Sequence, residues 1–600
     1  MPQYLPRRPI QVDTQPKPSA DEPDLVADDT DTMMGGDEFA PKAPKIPKTG
    51  GNPLQRFFGA YWRKKLWTLP LTFLVIAGIV AGVPFTRYSL LAMFVKRAYA
   101  VTVTDSKTST PVSGASVQLD SQTLTTDSAG KAKFVVPVGP HILTISKKYY
   151  QDAQKSVFVD LSTGHNVTSV QLNATGRQVP IKVTDKISDL PLPNVAVRVS
   201  GSDVTTGQDG TVTIVLPTGS PTLEASLSAD GYTNLTANVQ VTSDVVPANT
   251  FALVPAGRVY FLSNLSGKLD VVSTALDGSG RKTLLAGTGS EDANNTVLLA
   301  SRDWLYLALL SKREGGAHAK LFLISTANNQ VSTLDQDAAD FTPIGWSNHY
   351  FVYKGSYAVQ NWQPNGTIIK SFNAESAKSI NLAATTATGT SNADAQYQNI
   401  WETTFIGSSL VYSSTWYRYP GYTDVSGQQN SLISVKPDGS GSRTIKTIDA
   451  ATYYFSNLVL AKPDQAYIGV YSTGGSNANY YKLDASGNLS QSNTITGDTL
   501  NKQYPTFLES PSDKSTFWTE LRDGKNTLFT GDYYSNNGTQ IASLSSYSPY
   551  GWYTDSYLLV QKSGSELYIM PAAGGTPLKI SDYYKPAASF YGYGGGYGGI

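Results

Sequence analysis

The chain of 600 residues contains no cysteine. That excludes disulfides, thiolate nucleophiles and cysteine metal sites. Charge is scarce as well. Charged residues make up 16%, and 47 basic residues balance 47 acidic ones. No global field draws the chain to nucleic acid, so no nucleic-acid partner is expected. The four histidines, His141, His165, His318 and His349, are scattered, and none sits in an H-E-x-x-H arrangement. A G-x-S-x-G elbow, a Walker A loop and a dinucleotide fingerprint are all missing. The reading is therefore non-enzymatic, with no cofactor, no metal and no catalytic residue. A large exported chain without disulfides fits a bacterial surface better than a eukaryotic secretory route.

One stretch has no charge at all. Leu66 to Phe85, LWTLPLTFLVIAGIVAGVPF, follows Arg63, Lys64 and Lys65. About twenty apolar residues suffice to span a bilayer as a helix. A single transmembrane anchor is expected over 66–85, within a flanked segment 56–97. Residues 1–55 have no hydrophobic period, and acids cluster between Asp21 and Glu38. They are expected to be a disordered cytoplasmic tail. Lys48, Arg56, Arg63, Lys64 and Lys65 before the span outnumber Arg87, Lys96 and Arg97 after it. That bias places the N-terminus inside a plasma membrane and the rest outside. Ala98-Tyr99-Ala100 has the small-x-small form of a cleavage site, but it lies well past the apolar core, so an uncleaved anchor is expected.

A repeat begins at Ala100. Val101-Thr-Val103-Thr-Asp105 recurs as Ile181-Lys-Val183-Thr-Asp185, and Pro111, Val117, Gly130 and Pro137 recur at Pro191, Val197, Gly210 and Pro217. Every one of these offsets is 80 residues. Tyr150 pairs with Tyr232 and Gly176-Arg177 with Gly257-Arg258. Apolar and polar residues alternate in both copies, the pattern of strands with one buried face. Two tandem β-sandwiches are expected over 98–176 and 177–256. They resemble carboxypeptidase regulatory-like modules, with an Ig-like, transthyretin- or PEGA-like fold. The resemblance rests on Pro111-Val-Ser-Gly114-Ala115-Ser-Val117, Thr126-Asp127-Ser-Ala-Gly130 and Pro137-Val-Gly139. It implies a spacer role. Some relatives share a carbohydrate-binding-like fold, but no sugar-site motif is visible.

From Gly257 a looser repeat follows. An aromatic and aliphatic strand recurs at Arg258, Trp304, Tyr350, Leu410, Tyr467, Phe517 and Tyr557. Each is followed by a turn, at Asp277-Gly278, Asn328-Asn329, Asn365-Gly366, Asp438-Gly439, Ser486-Gly487, Asn537-Gly538 and Gly574-Gly575. The spacing, about 49 residues, is that of a four-stranded propeller blade. This region resembles the TolB-like and WD40-like propeller repeats through Ala461-Lys-Pro463-Asp464, Glu509-Ser-Pro511-Ser-Asp513 and Leu521-Arg522-Asp523-Gly524. The fold class is thus all-β with one transmembrane helix, two sandwiches and a C-terminal β-propeller over 257–590. Seven blades are counted, with six and eight as the alternatives. The first unit lacks its own leading strand, and the stretch from Lys585 to Tyr591 is expected to close the ring. Residues 591–600, rich in Gly and Tyr, read as a flexible tail.

Two stretches are candidates for binding. Asp335-x-Asp337-x-x-Asp340 has hard oxygens but lacks the glycine and terminal Glu of a calcium loop, so it reads as a solvated connector. After the strand at Leu410 come Trp416, Tyr417, Arg418, Tyr419 and Tyr422. Exposed Trp, Tyr and Arg dominate interface hot spots, and aromatic faces stack on sugars. This loop is the expected recognition site, beside a polar inter-blade loop at 373–395. The expected function is membrane-anchored recognition or adhesion of a protein or glycan. The alternatives are a cell-envelope scaffold and an enzyme with its site in the propeller channel.

Overall fold

The computed structural model describes residues 65–82, 88 and 91–584, apart from the segments 242–248, 292–295, 359–365, 389–394, 419–424, 533–536 and 542–545 and the single residues 476, 503, 506, 523 and 564. It divides into two units, residues 1–87 and 88–600.

The first unit contributes one described element, the helix Lys65–Gly82. Its 18 residues rise about 27 Å, short of the ~30 Å core of a bilayer. Among the described residues no helix is long and apolar enough to cross a membrane. The expected span over 66–85 is thus not shown, and its last residues, 83–85, lie outside the described residues. The described helix begins one residue earlier, carries Pro70 inside it, and stops at Gly82.

The second unit is all-β apart from short helical turns. Its first module centres on the strand Lys96–Asp105, which begins two residues before the expected boundary at 98. That strand runs antiparallel to Lys131–Pro137 and parallel to Val167–Leu172. A second sheet orders Gln122–Thr125, Ser116–Leu119, Gly139–Ser146 and Ala153–Val159. Alternation puts Val101, Val103, Val117, Leu119, Phe134 and Leu143 into one core between the two sheets. The second module repeats the plan. Arg177–Asp185 lies between Thr211–Leu216 and Asn249–Leu253, and Ser202–Thr205, Ala196–Val199, Thr222–Ser228 and Leu235–Gln240 form its partner sheet. The paired glycines Gly130 and Gly210 both sit at φ +70, where a Cβ would lie 2.4 and 2.5 Å from the carbonyl oxygens of Val103 and Val183. No larger residue fits either turn.

Seven antiparallel sheets follow in sequence order, here called blades 1 to 7. The recurrent aromatic stretches supply the strands Arg258–Ser263, Tyr306–Ser311, Tyr350–Tyr357, Ser409–Arg418, Gln465–Ser472, Thr516–Arg522 and Tyr557–Lys562. In blades 2 to 7 a leading strand precedes each of them: Val297–Ala300, Asp340–Ser347, Gln396–Ile406, Tyr453–Lys462, Leu508–Glu509 and Tyr547–Thr554. Among the described residues blade 1 has three strands and no leading one. Blade 4 gains a fifth, Thr386–Thr388.

Five of the seven expected turns have positive φ at Gly278, Asn329, Gly439, Gly487 and Gly574. Two differ. Gly366 and Asn537 begin strands, and the residues just before them, 359–365 and 533–536, lie outside the described residues. In blade 3 the last hairpin turns at 374–377, with Ala377 at φ +53. The described part of the stretch 373–395 is therefore largely strand rather than polar loop: Lys378–Ala384 is the last strand of blade 3 and Thr386–Thr388 the added strand of blade 4.

The ends of the array meet. Blade 1 residues Val259, Phe261 and Val272 share one apolar cluster with Leu559, Ile569 and Ile580 of blade 7 and Leu307 of blade 2. The Tyr584 N–H donates to the Leu262 carbonyl at 2.8 Å, and Arg281 donates to Ser581 Oγ at 2.8 Å. The chain after blade 7 thus meets the edge of blade 1 that lacks a leading strand. The expected closing segment 585–591 and the tail 591–600 lie outside the described residues.

Candidate functional site

The turns from first to second strand converge. One cavity of about 250 Å³ is lined from five blades: Arg302, Trp346 to Asn348, Phe405, Gly407 and Ser408, Leu460 and Pro463, and Phe507, Glu509 and Asp513. The leading strands are therefore innermost, and the cavity sits where their ends meet.

The lining is built locally. In blade 2 the Ser301 hydroxyl donates to Asp303 Oδ1, the Trp304 N–H donates to the Ser301 carbonyl, and Trp304 takes φ +60. Blade 6 repeats this turn with Ser510 and Asp513, the latter at φ +58. The first turn aims Arg302 inward, and the second aims Asp513. Arg302 Nη2 pairs with Glu509 Oε2 at 2.7 Å, and Nη1 pairs with Asp513 Oδ1. The pairing crosses from blade 2 to blade 6. The cavity therefore holds one guanidinium and two carboxylates.

Three tryptophans hold the inner strands in place. Trp346 Nε1 donates to the Leu299 carbonyl at 3.1 Å and Trp552 Nε1 to the Leu508 carbonyl at 2.8 Å, each reaching the preceding blade. Blade 1 has no inner strand, and Trp304 Nε1 of blade 2 donates directly to the Trp552 carbonyl of blade 7 at 3.1 Å. Trp346 and Trp552 stand in the same sequence, Pro-x-Gly-Trp, at 343–346 and 549–552. Both strands bulge between that proline and glycine. That repeated tetrapeptide marks the ring's axis, and sequence reasoning passed over it.

Further along the inner strands lies an exposed aromatic group. Trp401 in blade 4 and Tyr453 and Tyr454 in blade 5 are all more than a third exposed. The residue after Trp401 links blade 4 to Tyr454. Glu402 Oε1 accepts from the Asn457 N–H at 3.0 Å, Asn457 donates to the Tyr471 hydroxyl at 3.0 Å, and Tyr471 stacks on Tyr454 at 5.7 Å. Burial raises the pKa of Glu402 above the usual carboxylate value and lowers that of Lys354 beside it.

The expected recognition residues fare differently. Thr415, Trp416 and Tyr417 are strand, not loop: Ser409–Arg418 stays paired with Gln396–Ile406 to its last residue. Tyr417 stacks on the buried Tyr397 at 5.4 Å, and the Trp416 N–H donates to Asn430 Oδ1 at 2.7 Å. Asn430 in turn donates to the Tyr453 carbonyl, which ties this sector to the exposed aromatics. The side chain of Arg418, and Tyr419 and Tyr422 entirely, lie outside the described residues. Register brings the two expected insertions to one end of blade 4, because Gln396 pairs with both Thr388 and Arg418.

Asp335 is not part of a solvated connector: it ends a strand and is buried. Its Oδ2 accepts from Tyr353 at 2.9 Å, Tyr357 at 2.6 Å and Lys370 at 2.8 Å. Burial works to raise this carboxyl, and the bonds from Lys370, Tyr357, the Asp337 N–H and Tyr353 outweigh it and hold it below its usual value. Among the described residues no cluster of three metal-ligating side chains occurs.

No protein-family model matches the sequence, and no curated protein matches it. Solved structures do. The β-propeller domain of the Trilobed protease from Pyrococcus furiosus is 11% identical and has a TM-score of 0.31, with 62% of this chain and 97% of that one covered. TolB from Acinetobacter baumannii is 10% identical with a TM-score of 0.23, covering 52% and 73%. An oligogalacturonate lyase in complex with manganese is 10% identical with a TM-score of 0.27, covering 53% and 84%. The sheet order and the cross-ring bonds, not these likenesses, carry the propeller reading.

Proposed function

We propose that the chain is a non-catalytic recognition protein, held at a membrane by its N-terminal helix, whose propeller-like head binds a protein or glycan on the extracytoplasmic side. The axial cavity carries this reading. Its charged lining groups are an arginine and two carboxylates already paired with it, a set suited to binding and without a nucleophile and base in contact. Anchoring is supported by the helix. Leu69, Leu71, Phe73, Leu74, Val75 and Ile76 are each half exposed or more, whereas a surface helix of a folded domain hides its apolar stripe. The basic bias before residue 66 favours a cytoplasmic tail, and the two β-modules, read as small sandwiches, stand between membrane and head.

A glycan ligand is favoured by the exposed Trp401, Tyr453 and Tyr454, which Asn430 ties to the strand carrying Trp416. Protease added to intact cells is expected to remove a tag placed after residue 260 and to spare one at residue 10. The reverse pattern overturns the membrane reading. For recognition, the segment from Tyr88 onward is immobilised and challenged with a surface extract. Tyr88 belongs to this segment because its hydroxyl donates to Asp160 and its ring packs on Phe158. A captured partner that is lost on replacing Trp401 and Tyr454 by Ala supports the reading. Capture through residues 1–55 instead supports the scaffold alternative.

A further inference from the structure

The two β-modules differ at the end where each central strand begins. In the second module, Val215 pairs with Gln178, whose side chain reaches Asp105 of the first module, and Val215 is only 2% exposed. That end is an interface between modules. The first module has no module before it. Tyr88, Leu91 and Val95 pack on its core, and the chain turns at 92–94 before entering the strand Lys96–Asp105. Met93 and Phe94 in that turn are 76% and 85% exposed. The residues 80 positions later are Asn173 and Ala174. Val135, the counterpart of Val215, is more than half exposed.

The outer face of the adjoining sheet begins at this end. Register sets Val135 opposite Ala98 and Val167 opposite Ala100, with Val135 and Val167 both pointing away from the core. Lys96, Lys131 and Lys133 are exposed on the same face. No acid of the three strands joins them, because their one acid, Asp105, is buried. Arg97 adds a cation at the end itself, where its Nε donates to the Leu161 carbonyl at 3.1 Å. The acids near this end, Asp160 and Asp120, are engaged: Asp160 accepts from the Tyr88 hydroxyl at 3.1 Å, and Asp120 is bonded to His141.

We propose that this end of the first module rests on a bilayer surface, with Met93 and Phe94 in the interfacial layer and Lys96, Lys131 and Lys133 over anionic lipid headgroups. Exposed apolar side chains beside lysines bind such an interface through both apolar burial and charge. The chain itself supplies the occupant. Five residues, 83–87, separate the end of the apolar helix at Gly82 from Tyr88, a reach of at most roughly 20 Å. A helix held in a membrane therefore delivers this surface to the headgroups. The inference rests on the anchoring reading and deepens it: the first module is seated on lipid, as the second is seated on the first.

The chain has no cysteine, so a polarity-sensitive fluorophore can be attached at one chosen position. The full chain is labelled after Phe94→Cys or, as the distant control, after Leu190→Cys, at a well exposed residue of the second module. Each is reconstituted in nanodiscs of phosphatidylcholine, alone or mixed with phosphatidylserine, and co-elution with the discs checks anchoring. In mixed discs the label at position 94 should be quenched by nitroxide lipids and shielded from aqueous iodide about fivefold relative to position 190. Combining Lys96→Glu with Lys133→Glu should remove about half of that shielding in mixed discs and little in phosphatidylcholine alone. A label at position 94 as open to iodide as the control overturns the proposal. Shielding without nitroxide quenching also overturns it, because the cover is then protein, such as a second copy. Shielding that the charge reversal leaves intact removes the lysines' role and overturns it too. A chain that fails to co-elute with the discs defeats the anchoring reading itself, a result distinct from a chain that co-elutes with position 94 open.

Discussion

The two β-modules share one plan, yet each joins the next part of the chain differently. In the first, Asp105 Oδ1 accepts from the Lys107 and Thr108 N–H groups, and Oδ2 accepts from Gln178 of the second module at 2.5 Å. In the second, Asp185 Oδ1 accepts from the Ile187 and Ser188 N–H groups, and Oδ2 accepts from Tyr232 and, at 2.8 Å, from Tyr557 of blade 7. The same carboxylate caps its own loop and reaches across to a neighbouring module. The neighbourhoods then diverge. Around the first junction the remaining contacts are polar and exposed, such as Lys147 to the Asp203 carbonyl and Lys148 to the Ser200 carbonyl. At the second, Ile187 is buried inside the apolar cluster that joins blades 1, 2 and 7. The residue 80 positions earlier is Lys107, exposed to solvent. The second module carries an apolar residue where the first carries a charged one, and that residue packs into the head.

The second module and the head should therefore melt as one cooperative unit, with the first module separate. The largest test is Ile187→Asp. Placing an unpaired charge in that cluster should cost about 3 kcal/mol and lower the melting of the head, though the residue belongs to another module. Calorimetry of the segment from Tyr88 should show it. A head transition that stays in place while only the second module melts earlier would uncouple the two. Lys107→Asp, its counterpart, should leave every transition within about 0.5 kcal/mol.

Next in size is Tyr557→Phe, which removes one bond to a carboxylate only 3% exposed. Bonds to buried charged groups contribute about 1.5–3 kcal/mol. The loss should fall on the second module and the head together, seen as matched shifts in their urea midpoints. A shift confined to blade 7 would show that the bond does not couple them.

The pH dependence sharpens the same point. Burial works to raise the Asp185 carboxyl, and bonds from the Ser188 N–H, Tyr557, Tyr232 and the Ile187 N–H outweigh it, so it sits below its usual value. Tyr232 is pushed up to about 12, by burial first and then by this carboxylate. A carboxyl depressed in the folded state stabilises above its unfolded pKa of about 3.9. That stabilisation is lost as pH falls through the folded value. Wild type and Asp185→Asn should therefore differ in stability by a constant amount above about pH 5 and converge below about pH 4. Denaturant titrations across that range decide it, and a gap that widens in acid would contradict the sign.

Much of this was legible beforehand, and the rest was hidden for physical reasons. The offset of 80 residues paired Asp105 with Asp185 and, drifting by two, Tyr150 with Tyr232, and the structure gives the two aspartates one local geometry. It could not say that Tyr557, 372 positions on, would meet Asp185, because that contact depends on how the ring closes. The seven recurrent strands were visible because aromatic and β-branched residues cluster in them. The same residues misled at Thr415 to Arg418. They read as an exposed loop, although such residues are strong strand formers, and the pairing simply continues. The axial cavity stayed hidden in turns read only as turns. Pro463, Glu509 and Asp513 were all in view as degenerate repeat marks, but convergence is a property of the ring and not of any one repeat. Asp335 looked solvated among neighbouring acids, and its true partners, Tyr353, Tyr357 and Lys370, come from the next blade.

The smallest expected effect is at the first junction, and it is the one that decides whether the modules form a stiff stalk. Gln178→Ala removes one partner of Asp105 Oδ2, a carboxylate only 1% exposed, at a site where Gln178 itself is partly exposed. Burial works to raise the Asp105 carboxyl, yet the Thr108 and Lys107 N–H groups, the Thr108 hydroxyl and Gln178 together hold it below its usual value. Most of those bonds belong to the first module's own loop, so they survive the substitution. Burial and the Asp105 carboxylate also keep the Tyr150 hydroxyl protonated beside it. The loss should be about 0.5 kcal/mol, less than at Asp185, because Tyr150 and the Lys107 and Thr108 groups still hydrogen-bond the carboxylate. What should change is the angle between modules. Lys147, Lys148 and Tyr149 hold the second module through the exposed carbonyls of Asp203 and Ser200 and the Ser200 hydroxyl. With Gln178 gone, small-angle scattering of the segment from Tyr88 should show a broader distance distribution at unchanged melting temperature. An unchanged distribution would mean that the Lys147–Tyr149 contacts alone set the angle, and a lowered melting temperature would make the first junction resemble the second.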